Sequence, residues 1–314
     1  MVCVVVILNV KAIRMKNVLI SGGSGLIGRR LTHLLMENGY AVAWLSRSNK
    51  ASKGVTVFNW DINKGYIDPE AIKWANMLVH LAGEGIAEKR WSKKRKSEII
   101  ESRTAGANML IKAMQENPGH IKTVVAASAI GFYGNTGNVA VHETANPGEG
   151  FLSESVQIWE KATHQFELAG ARLVQLRIGI ILSMEAGALK EIVQTAPMRI
   201  LPVMGSGKQI CSWIHIDDVA GIILYALNNP VAGVFNAVAP NPVTQKNILI
   251  AFRKPAHKQY LLIPVPAFGL KLVFGEMSSA VLNNQLISAD KIVTSGYKFH
   301  FPEIDGAMNN LLNE

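Results

Sequence analysis

Cysteine is almost absent from this chain. Only Cys3 and Cys211 occur among 314 residues, and their separation fits neither a disulfide framework nor a metal-binding spacing. The sequence therefore predicts a protein without structural disulfides or a metal site, in the reducing setting of the cytoplasm.

The chain also lacks a hydrophobic run long enough to cross a bilayer. The apolar residues 1–10 are too few, and Lys11 and Arg14 follow this run, whereas a signal peptide carries its basic residues in front. Met15 looks like a natural start for the first strand. We therefore expect residues 1–14 to lie outside the fold, and we predict no membrane association.

Acidic residues are fewer than basic ones in this chain. There are 23 of them against 32 lysines and arginines, so the formal net charge is +9. Nucleic acid could attract such a charge, but the basic residues concentrate in segment 89–96 and no aromatic stacking platform accompanies them. We interpret the excess as a solvated helix face plus attraction for a phosphorylated small molecule, and we predict no nucleic-acid partner.

Apolar residues are abundant, at 49% of the chain, which argues against disorder. Short apolar runs alternate with amphipathic segments. The predicted strands are 18–20, 41–45, 55–58, 77–81, 124–127 and 173–177, and the two longest predicted helices are 90–115 and 153–168. This alternation predicts an α/β fold with a parallel, doubly wound sheet.

After Arg177 the alternation of apolar runs and amphipathic segments becomes less regular. Segment 213–219 reads as a short strand running into a helix, with Asp217 or Asp218 as the predicted N-cap. The proline-containing remainder predicts a smaller C-terminal lobe that closes over the sheet edge and helps to bind a substrate. The expected division is therefore 1–14 outside the fold, 15–182 as the nucleotide-binding core, and 183–314 completing the sheet and forming the lobe.

The most informative stretch is the glycine turn, which runs from Ser21 to Gly28. It follows an apolar run and opens an amphipathic one, so it predicts a strand, a turn and a helix. Gly22 would allow the tight turn, Gly25 the approach of backbone N–H groups to a pyrophosphate, and Gly28 the close packing of helix on strand. The pattern favours dinucleotide binding, and the alternative is an ordinary glycine-rich turn.

Two further strand ends bear on the cofactor. The second strand ends in Ser46, Arg47 and Ser48, where NAD-binding sites often carry an acid. A basic residue between two hydroxyls suits a 2′-phosphate and so predicts NADP(H), although Arg47 could also be a plain surface arginine. The predicted strand 77–81 is followed by the small residues Ala82 and Gly83, which leave room for a cofactor. His80 lies within this apolar strand and is interpreted as a core histidine.

At this point the motifs resemble the extended short-chain dehydrogenase/reductase superfamily. That resemblance rests on the glycine turn, Leu81-Ala82-Gly83, the run from Ser128 to Gly134, and the run from Trp213 to Asp218. More narrowly, the chain is similar to an atypical "epimerase family" branch, which is nucleotide-sugar epimerase-like and sometimes labelled cell-division-inhibitor-like. The narrower motifs are Gly83-Glu84, Arg90-Trp91, Glu98 with Ser102-Arg103, Trp159-Glu160 and residues 233–240.

The resemblance covers about residues 16–312. It implies a Rossmann-type fold with bound NADP(H) and a substrate that is generally unassigned. The cofactor-binding residues that it implies are Gly22, Ser24, Gly25, Leu26, Ile27, Gly28, Ser46, Arg47, Ser48, Leu81, Ala82, Gly83, Glu98, Arg103 and Ile181. For Glu98 and Arg103 the alternative is a surface ion pair.

The superfamily's usual acid/base pair, Tyr-x-x-x-Lys, is missing. None of the six tyrosines is followed four positions on by a lysine. In that pair the lysine lowers the tyrosine pKa so that the phenol can shuttle a proton. Before Trp159 the chain reads Phe-Leu-Ser-Glu-Ser-Val instead, and the narrower branch shares this departure.

We therefore single out Ser128 and Tyr133 as the candidate catalytic residues. His215 and Glu160 are further acid/base candidates. In the competing interpretation Tyr133 is a core residue and His215 only orients a neighbouring aspartate.

Two functions compete at this stage. One is an NADP(H)-dependent oxidoreductase or epimerase-like enzyme acting on a polar small molecule, with a nucleotide-linked one included. The other is an NADP(H)-bound sensor or scaffold without turnover, which the missing Tyr-x-x-x-Lys favours. A homodimer is a candidate assembly for either.

Overall fold

A computed structural model describes residues 16–48, 52–86, 89–256 and 258–313. The predicted extension, residues 1–14, lies outside the described residues.

The described residues alternate between strands and helices along much of the chain. The strands are β1 (Asn17–Ser21), β2 (Ala41–Ser46), β3 (Thr56–Asp61), β4 (Tyr66–Ile67), β5 (Met77–His80), β6 (Thr123–Ala129), β7 (Arg172–Ile178), β8 (Ile180–Leu182), β9 (Ile200–Met204), β10 (Ile210–Cys211), β11 (Trp213–His215), β12 (Gly233–Ala237), β13 (Val243–Thr244) and β14 (Leu261–Val265). The α-helices are α1 (Leu26–Glu37), α2 (Pro69–Trp74), α3 (Lys93–Glu116), α4 (Phe151–Leu168), α5 (Ala188–Ile192), α6 (Ile216–Asn228), α7 (Gln245–Arg253), α8 (Ala267–Phe274), α9 (Ser279–Leu282), α10 (Asp290–Thr294) and α11 (Ile304–Asn313). Short 3₁₀ helices cover Ile62–Lys64, Ile130–Tyr133, Ala196–Met198 and Gly275–Ser278.

Eight strands form the central sheet, in the order β12-β7-β6-β5-β1-β2-β3-β4. All neighbours pair in parallel except β3 and β4, which pair antiparallel at one edge. The strand order reverses between β1 and β5, so a crevice opens there at the carboxyl ends of the strands. The predicted doubly wound, Rossmann-type fold is confirmed.

The sheet is buried on both faces. Side chains alternate along β1, so that Val18 and Ile20 pack with α1 and α6 on one face while Leu19 packs with α3 on the other. Parallel strands covered by helices on both sides read as continuous apolar runs, which is why these strands were visible in the sequence. The C-terminal ends of the strands, including that of β1, meet at one edge and carry the candidate site.

Two predicted helix starts were wrong by a few residues. Helix α3 begins at Lys93 because the side chain of Ser92 caps it by accepting a hydrogen bond from Arg95 N, so Arg90 precedes the helix. Helix α4 begins at Phe151, directly after Gly150 in a positive-φ conformation of +87°.

The predicted N-cap of α6 was also wrong. The cap is His215, whose Nδ1 accepts a hydrogen bond from Asp217 N at 3.2 Å. Asp218 lies inside the helix and is fully buried, and its carboxylate accepts hydrogen bonds from Tyr297 Oη at 2.9 Å and His300 N at 2.8 Å. These partners lie about eighty residues further along the chain, so the local sequence could not reveal them.

The segment after β7 completes the central sheet and also forms an apolar cluster of its own. Strand β12 joins the central sheet beside β7, whereas β8, β9 and β10 pair with β11, β14 and β13 in separate two-stranded sheets. Helices α7 and α11 pack with β9 around an apolar cluster of their own, which includes Leu249 and Met308. Within the described ranges, no helix is both long enough and apolar enough to cross a membrane.

Candidate functional site

The glycine turn packs directly against the backbone that follows β5. Gly22 has a φ of +79°, and a Cβ there would lie 2.9 Å from both Ala82 N and the carbonyl carbon of Leu81. Leu81 N also donates a hydrogen bond to Ser21 O at 3.0 Å. The structure therefore brings the glycine turn and the predicted residues Leu81 and Ala82 together across the β1–β5 crevice.

Gly28 and Gly23 hold the helix and the turn close together. A Cβ at Gly28 would lie 2.6 Å from Gly23 Cα, and a Cβ at Gly23 would overlap the indole ring of Trp44. Trp44 in turn donates a hydrogen bond from Nε1 to Thr32 Oγ1 at 2.8 Å. The sequence analysis missed the role of Gly23, because that role depends on a side chain two elements away.

The N-terminus of α1 is open to an anion. Gly25 caps the helix without a side-chain hydrogen bond, and the first turn contains no acidic residue. Ser24 and Gly25 are exposed, and Leu26 and Ile27 form the first turn of α1. The unpaired backbone N–H groups and the positive end of the helix dipole therefore face solvent at this edge, an arrangement that binds phosphate.

The end of β2 lies beside this turn. Ser21 of β1 is in register with Leu45 of β2, so Ser46, Arg47 and Ser48 follow at the same sheet edge. Arg47 and Ser48 are exposed, and Ser46 Oγ accepts a hydrogen bond from Ser48 N at 3.2 Å. A guanidinium placed there could bind a phosphate in bidentate fashion.

Arg103 fixes the loop after β5 to α3. Its Nη2 donates a hydrogen bond to the carbonyl of Glu84 at 3.0 Å, and its side chain packs where a Cβ of Gly83 would be 3.1 Å away. Its guanidinium also lies 5.0 Å from the ring centre of Trp159. Burial, with a smaller contribution from the nearby Arg95 charge, lowers the pKa of Arg103 to about 10, still high enough to keep it charged at neutral pH.

The alternative of an ion pair between Glu98 and Arg103 was wrong. Glu98 Oε2 accepts a hydrogen bond from Arg95 at 3.1 Å, and Glu84 pairs with the same guanidinium. Arg103 instead donates hydrogen bonds to the backbone carbonyl groups of Ile99 and Glu84.

Ile181 lies near the start of α1, with Gly187 between them. Gly187 lies next to both Leu26 and Ile181, since a Cβ there would be 3.6 Å from Leu26 Cδ2 and 3.9 Å from the carbonyl of Ile181. Glu185 also pairs with Arg29 of α1 at 2.9 Å. The predicted contact residue Ile181 is thereby placed beside the first turn of α1.

A buried polar network lies where β6, β7 and β12 end. Ser128 of β6 and Asn236 of β12 are each in register with Arg177 of β7. Ser128 donates a hydrogen bond to Glu160 Oε1 at 2.6 Å. Arg177 donates to the same carboxylate from Nε at 2.8 Å and from Nη2 at 2.9 Å.

Tyr133 completes this network. Its hydroxyl donates to Asn236 Oδ1 at 2.7 Å and accepts from Arg177 Nη1 at 2.8 Å. Burial raises the pKa of Tyr133 and outweighs the opposing effect of the Arg177 guanidinium. The phenol therefore stays protonated near neutral pH, which suits a hydrogen-bond donor and not a base.

The candidate catalytic residues are thus held by protein partners. Ser128 is only 3% exposed, and Glu160 is tied to Arg177. His215 is fully buried, caps α6 and lies 4.0 Å from the ring of Phe301, centre to centre. Their catalytic assignment stays a prediction.

A cavity of about 930 Å³ is lined mostly by residues that follow β9. Loop 205–209, α8 and the 3₁₀ helix after α8 line it, together with Asn138 and Asn284. The carbonyl of Asn284 accepts a hydrogen bond from Thr136 N at 2.9 Å, so the cavity adjoins the loop that follows Tyr133. Among the described residues, no group of three or more histidine, cysteine or carboxylate side chains is placed to hold a metal ion.

Several known proteins are similar in sequence to this chain over most of its length. Epimerase family protein YfhF of Bacillus subtilis is 34% identical over 310 residues, which cover 94% of this chain and 98% of that protein. Epimerase family protein ML0860 of Mycobacterium leprae is 31% identical over 301 residues, with 95% and 96% covered.

Solved structures show the same fold. Human epimerase family protein SDR39U1 (isoform 2), solved with NADPH, is 29% identical with a TM-score of 0.83, and the match covers 95% of this chain and 99% of that one. The nucleoside-diphosphate sugar epimerase from Corynebacterium glutamicum is 28% identical with a TM-score of 0.75, covering 96% of this chain and 59% of that one. UDP-glucose 4-epimerase of Thermus thermophilus, solved with NAD, matches in fold alone, at 20% identity and a TM-score of 0.74 over 94% of this chain and 97% of that one.

Two family models match separate parts of the chain. A domain of unknown function, DUF1731, matches residues 265–311. The NAD dependent epimerase/dehydratase family matches residues 18–238, which include the glycine turn, the buried network and β12. This confirms the resemblance inferred from the motifs: the chain belongs to the NAD dependent epimerase/dehydratase family.

Proposed function

We propose that this protein is an NADP(H)-dependent oxidoreductase or epimerase-like enzyme that acts on a polar small molecule. The observation that carries the proposal is the fit of the glycine turn to a dinucleotide. Gly22 and Gly28 leave no room for a side chain, and the open end of α1 presents N–H groups to solvent. When bound, the nicotinamide coenzyme would supply or accept a hydride.

The preference for NADP(H) over NAD(H) rests on Arg47. Its position at the end of β2, exposed and beside the glycine turn, suits the 2′-phosphate that distinguishes the two coenzymes. The human relative solved with NADPH supports the same choice, whereas a more distant fold neighbour was solved with NAD.

The substrate would lie beside the loop that follows Tyr133. The cavity adjoins this loop, and its lining includes asparagine, serine and lysine residues, whose side chains suit a polar molecule. A nucleotide-linked substrate is one member of that class, as in the nucleoside-diphosphate sugar epimerase that this chain resembles. The scarcity of cysteine supports a cytoplasmic location.

Proton transfer would not use a tyrosine–lysine pair. Tyr133 keeps its proton near neutral pH and can donate a hydrogen bond, while Arg177 and Asn236 hold its hydroxyl in place. General acid or base assistance is typically worth about 10²–10⁴-fold in rate. We therefore expect slow turnover unless the substrate is easily reduced or brings its own acid.

A second candidate, an NADP(H)-bound sensor or scaffold, is favoured by one specific observation. Ser128 and Tyr133 both give their hydroxyl protons to protein acceptors, Glu160 and Asn236, at 2.6 and 2.7 Å. Hydroxyl groups that donate to protein acceptors stabilise the fold. A protein that only binds the coenzyme does not need a free acid or base for proton transfer.

Hydride transfer separates the two candidates. The protein would be incubated with NADPH deuterated at either face of nicotinamide C4, together with carbonyl compounds and nucleotide sugars, and the products analysed by mass spectrometry. The enzyme predicts deuterium in a product from one face only, with less of it formed by Gly28→Ala and by Tyr133→Phe. Deuterium retained on the coenzyme across the panel, with NADPH still tightly bound, would contradict turnover and favour the sensor.

A further inference from the structure

Helix α8 carries two different surfaces side by side. Ala267 and Lys271 line the cavity, one turn apart on the same face. Phe268 and Leu272 form the next row around the helix and are 76% and 77% exposed. Because successive helical residues are rotated by about 100°, the apolar row borders the cavity-lining row directly.

The cavity side of this boundary is cationic. Its lining includes two lysines, Lys208 and Lys271, together with Ser206. The carboxylate in the described lining, Glu276, is paired with Lys96 at 2.6 Å. No aspartate or glutamate occurs between Asp218 and Glu276, so this part of the chain adds positive charge without any acid to offset it.

The outer side of this boundary is apolar. Large aromatic and aliphatic side chains that protrude together mark a contact surface, because exposure of such area to water is costly. Phe268 and Leu272 stand four residues apart and project from the same side of α8. Across the cavity Leu282 adds another apolar wall beside Gly205, and the adjacent Val281 is also exposed.

We propose that the cavity binds an amphipathic anion. Its charged head, a phosphate or an equivalent anionic group, lies between Lys208 and Lys271, and its alkyl chain leaves the cavity along Phe268 and Leu272. This inference rests on the proposed function in taking the cavity as the substrate site, and it narrows the polar substrate to one that also carries an apolar chain.

The apolar row is continuous with the cavity and shares its helix. A second copy of the chain placed on Phe268 and Leu272 would bury the apolar area but leave Lys208 and Lys271 without an anion. A ligand with a charged head and an apolar chain satisfies both surfaces at once.

The test uses three probes that separate the head from the chain. Ethyl phosphate carries the head alone, decanol the chain alone, and decyl phosphate both, each kept below the concentration at which micelles form. Binding to the NADPH-loaded protein would be measured by calorimetry. We expect one molecule of decyl phosphate to bind at least tenfold more tightly than ethyl phosphate, since each buried methylene adds to the affinity.

Variants then assign the two parts of the ligand. Phe268→Ser and Leu272→Ser should each weaken decyl phosphate about tenfold and leave ethyl phosphate unchanged, whereas Lys271→Gln should weaken both. Leu168→Ser removes a similarly exposed apolar side chain at the far end of α4 and should change neither. NADPH binding should persist in all four variants, which shows that they fold.

Three results would overturn the inference. One is equal affinity for ethyl and decyl phosphate. A second is decyl phosphate binding that Phe268→Ser leaves intact. The third is a dimer in sedimentation that Phe268→Ser converts to a monomer without changing decyl phosphate affinity, because the apolar row would then be a self-association surface. None of these results touches hydride transfer, so failure here is distinguishable from failure of the proposed enzyme.

Discussion

Ser128 and Glu160 are joined by a hydrogen bond of 2.6 Å between the end of β6 and the middle of α4. The same carboxylate receives two hydrogen bonds from Arg177, so one acidic group ties two neighbouring strands to the helix that covers them. The hydroxyl of Ser128, a candidate catalytic group, is therefore hydrogen-bonded to a buried ion pair, which gives it a structural role.

Removing the charge of Glu160 should destabilise the protein strongly. Burial opposes the charge of Arg177, yet the hydrogen bonds and charge of Glu160 raise the pKa of that guanidinium above its usual value. Glu160→Gln leaves this 4%-exposed cation without its counter-charge, and we expect a loss of about 3 kcal/mol in the free energy of unfolding by urea denaturation.

Ser128→Ala is the matched control. It removes one hydrogen bond to a charged group and should cost about 1–2 kcal/mol. Equal stability of Glu160→Gln and the wild type would show that the ion pair contributes nothing to the fold.

Tyr133→Phe tests the other end of the network. The substitution keeps the ring but leaves Asn236 Oδ1 and one Arg177 nitrogen short of a partner, both in buried surroundings. We expect a loss of about 1–3 kcal/mol in unfolding free energy with NADPH affinity unchanged. Unchanged stability combined with lost turnover would instead mark Tyr133 as a catalytic group with little structural role.

Gly28→Ala should damage both stability and coenzyme binding. The added methyl group would meet the backbone of Gly23 at 2.6 Å, so the turn or the helix must shift. We expect a loss of about 2–4 kcal/mol in unfolding free energy, within the range for overpacked sites, and NADPH binding at least tenfold weaker.

Gly306→Ala is the control for this substitution. It places the same methyl group in open space within α11, where alanine should stabilise the helix by up to about 1 kcal/mol. Wild-type coenzyme affinity in Gly28→Ala would contradict the role given to the glycine turn.

The buried His80 makes stability depend on pH. Complete burial lowers its pKa to about 4 from an ordinary value near 6.5, while its Nδ1 lies 2.7 Å from Ser21 Oγ. Between these two values the unfolded chain binds the extra proton, so stability is fully present above about pH 6.5 and falls as the pH is lowered towards 4. The total loss is on the order of 3 kcal/mol.

Urea denaturation at pH 7.5 and pH 5 measures this effect. His80→Asn should flatten the pH dependence, whereas His33→Asn, on the exposed side of α1, should leave it intact. If His80→Asn left the pH dependence of the unfolding free energy unchanged, His80 would not be its cause.

The sequence predicted those parts of the molecule that are encoded locally. The glycine turn, the apolar strands and the core position of His80 depend on neighbouring residues, and the structure places them as expected. The predicted N-cap of α6 was wrong because the carboxylate of Asp218 accepts hydrogen bonds from Tyr297 and from backbone N–H groups far along the chain. The Ser128–Glu160–Arg177 network was equally hidden, since it joins three elements whose alignment only the folded sheet defines.

Coenzyme preference tests the central claim most directly. Calorimetric titration of the wild type with NADPH and with NADH should show NADPH bound about 10- to 100-fold more tightly, the value of one bidentate arginine–phosphate contact. Arg47→Asp should erase or reverse this ratio, and Lys112→Asp, which makes the same charge change on the exposed side of α3, should preserve it. Equal wild-type affinity for the two coenzymes, or a ratio that Arg47→Asp leaves unchanged, would contradict the account.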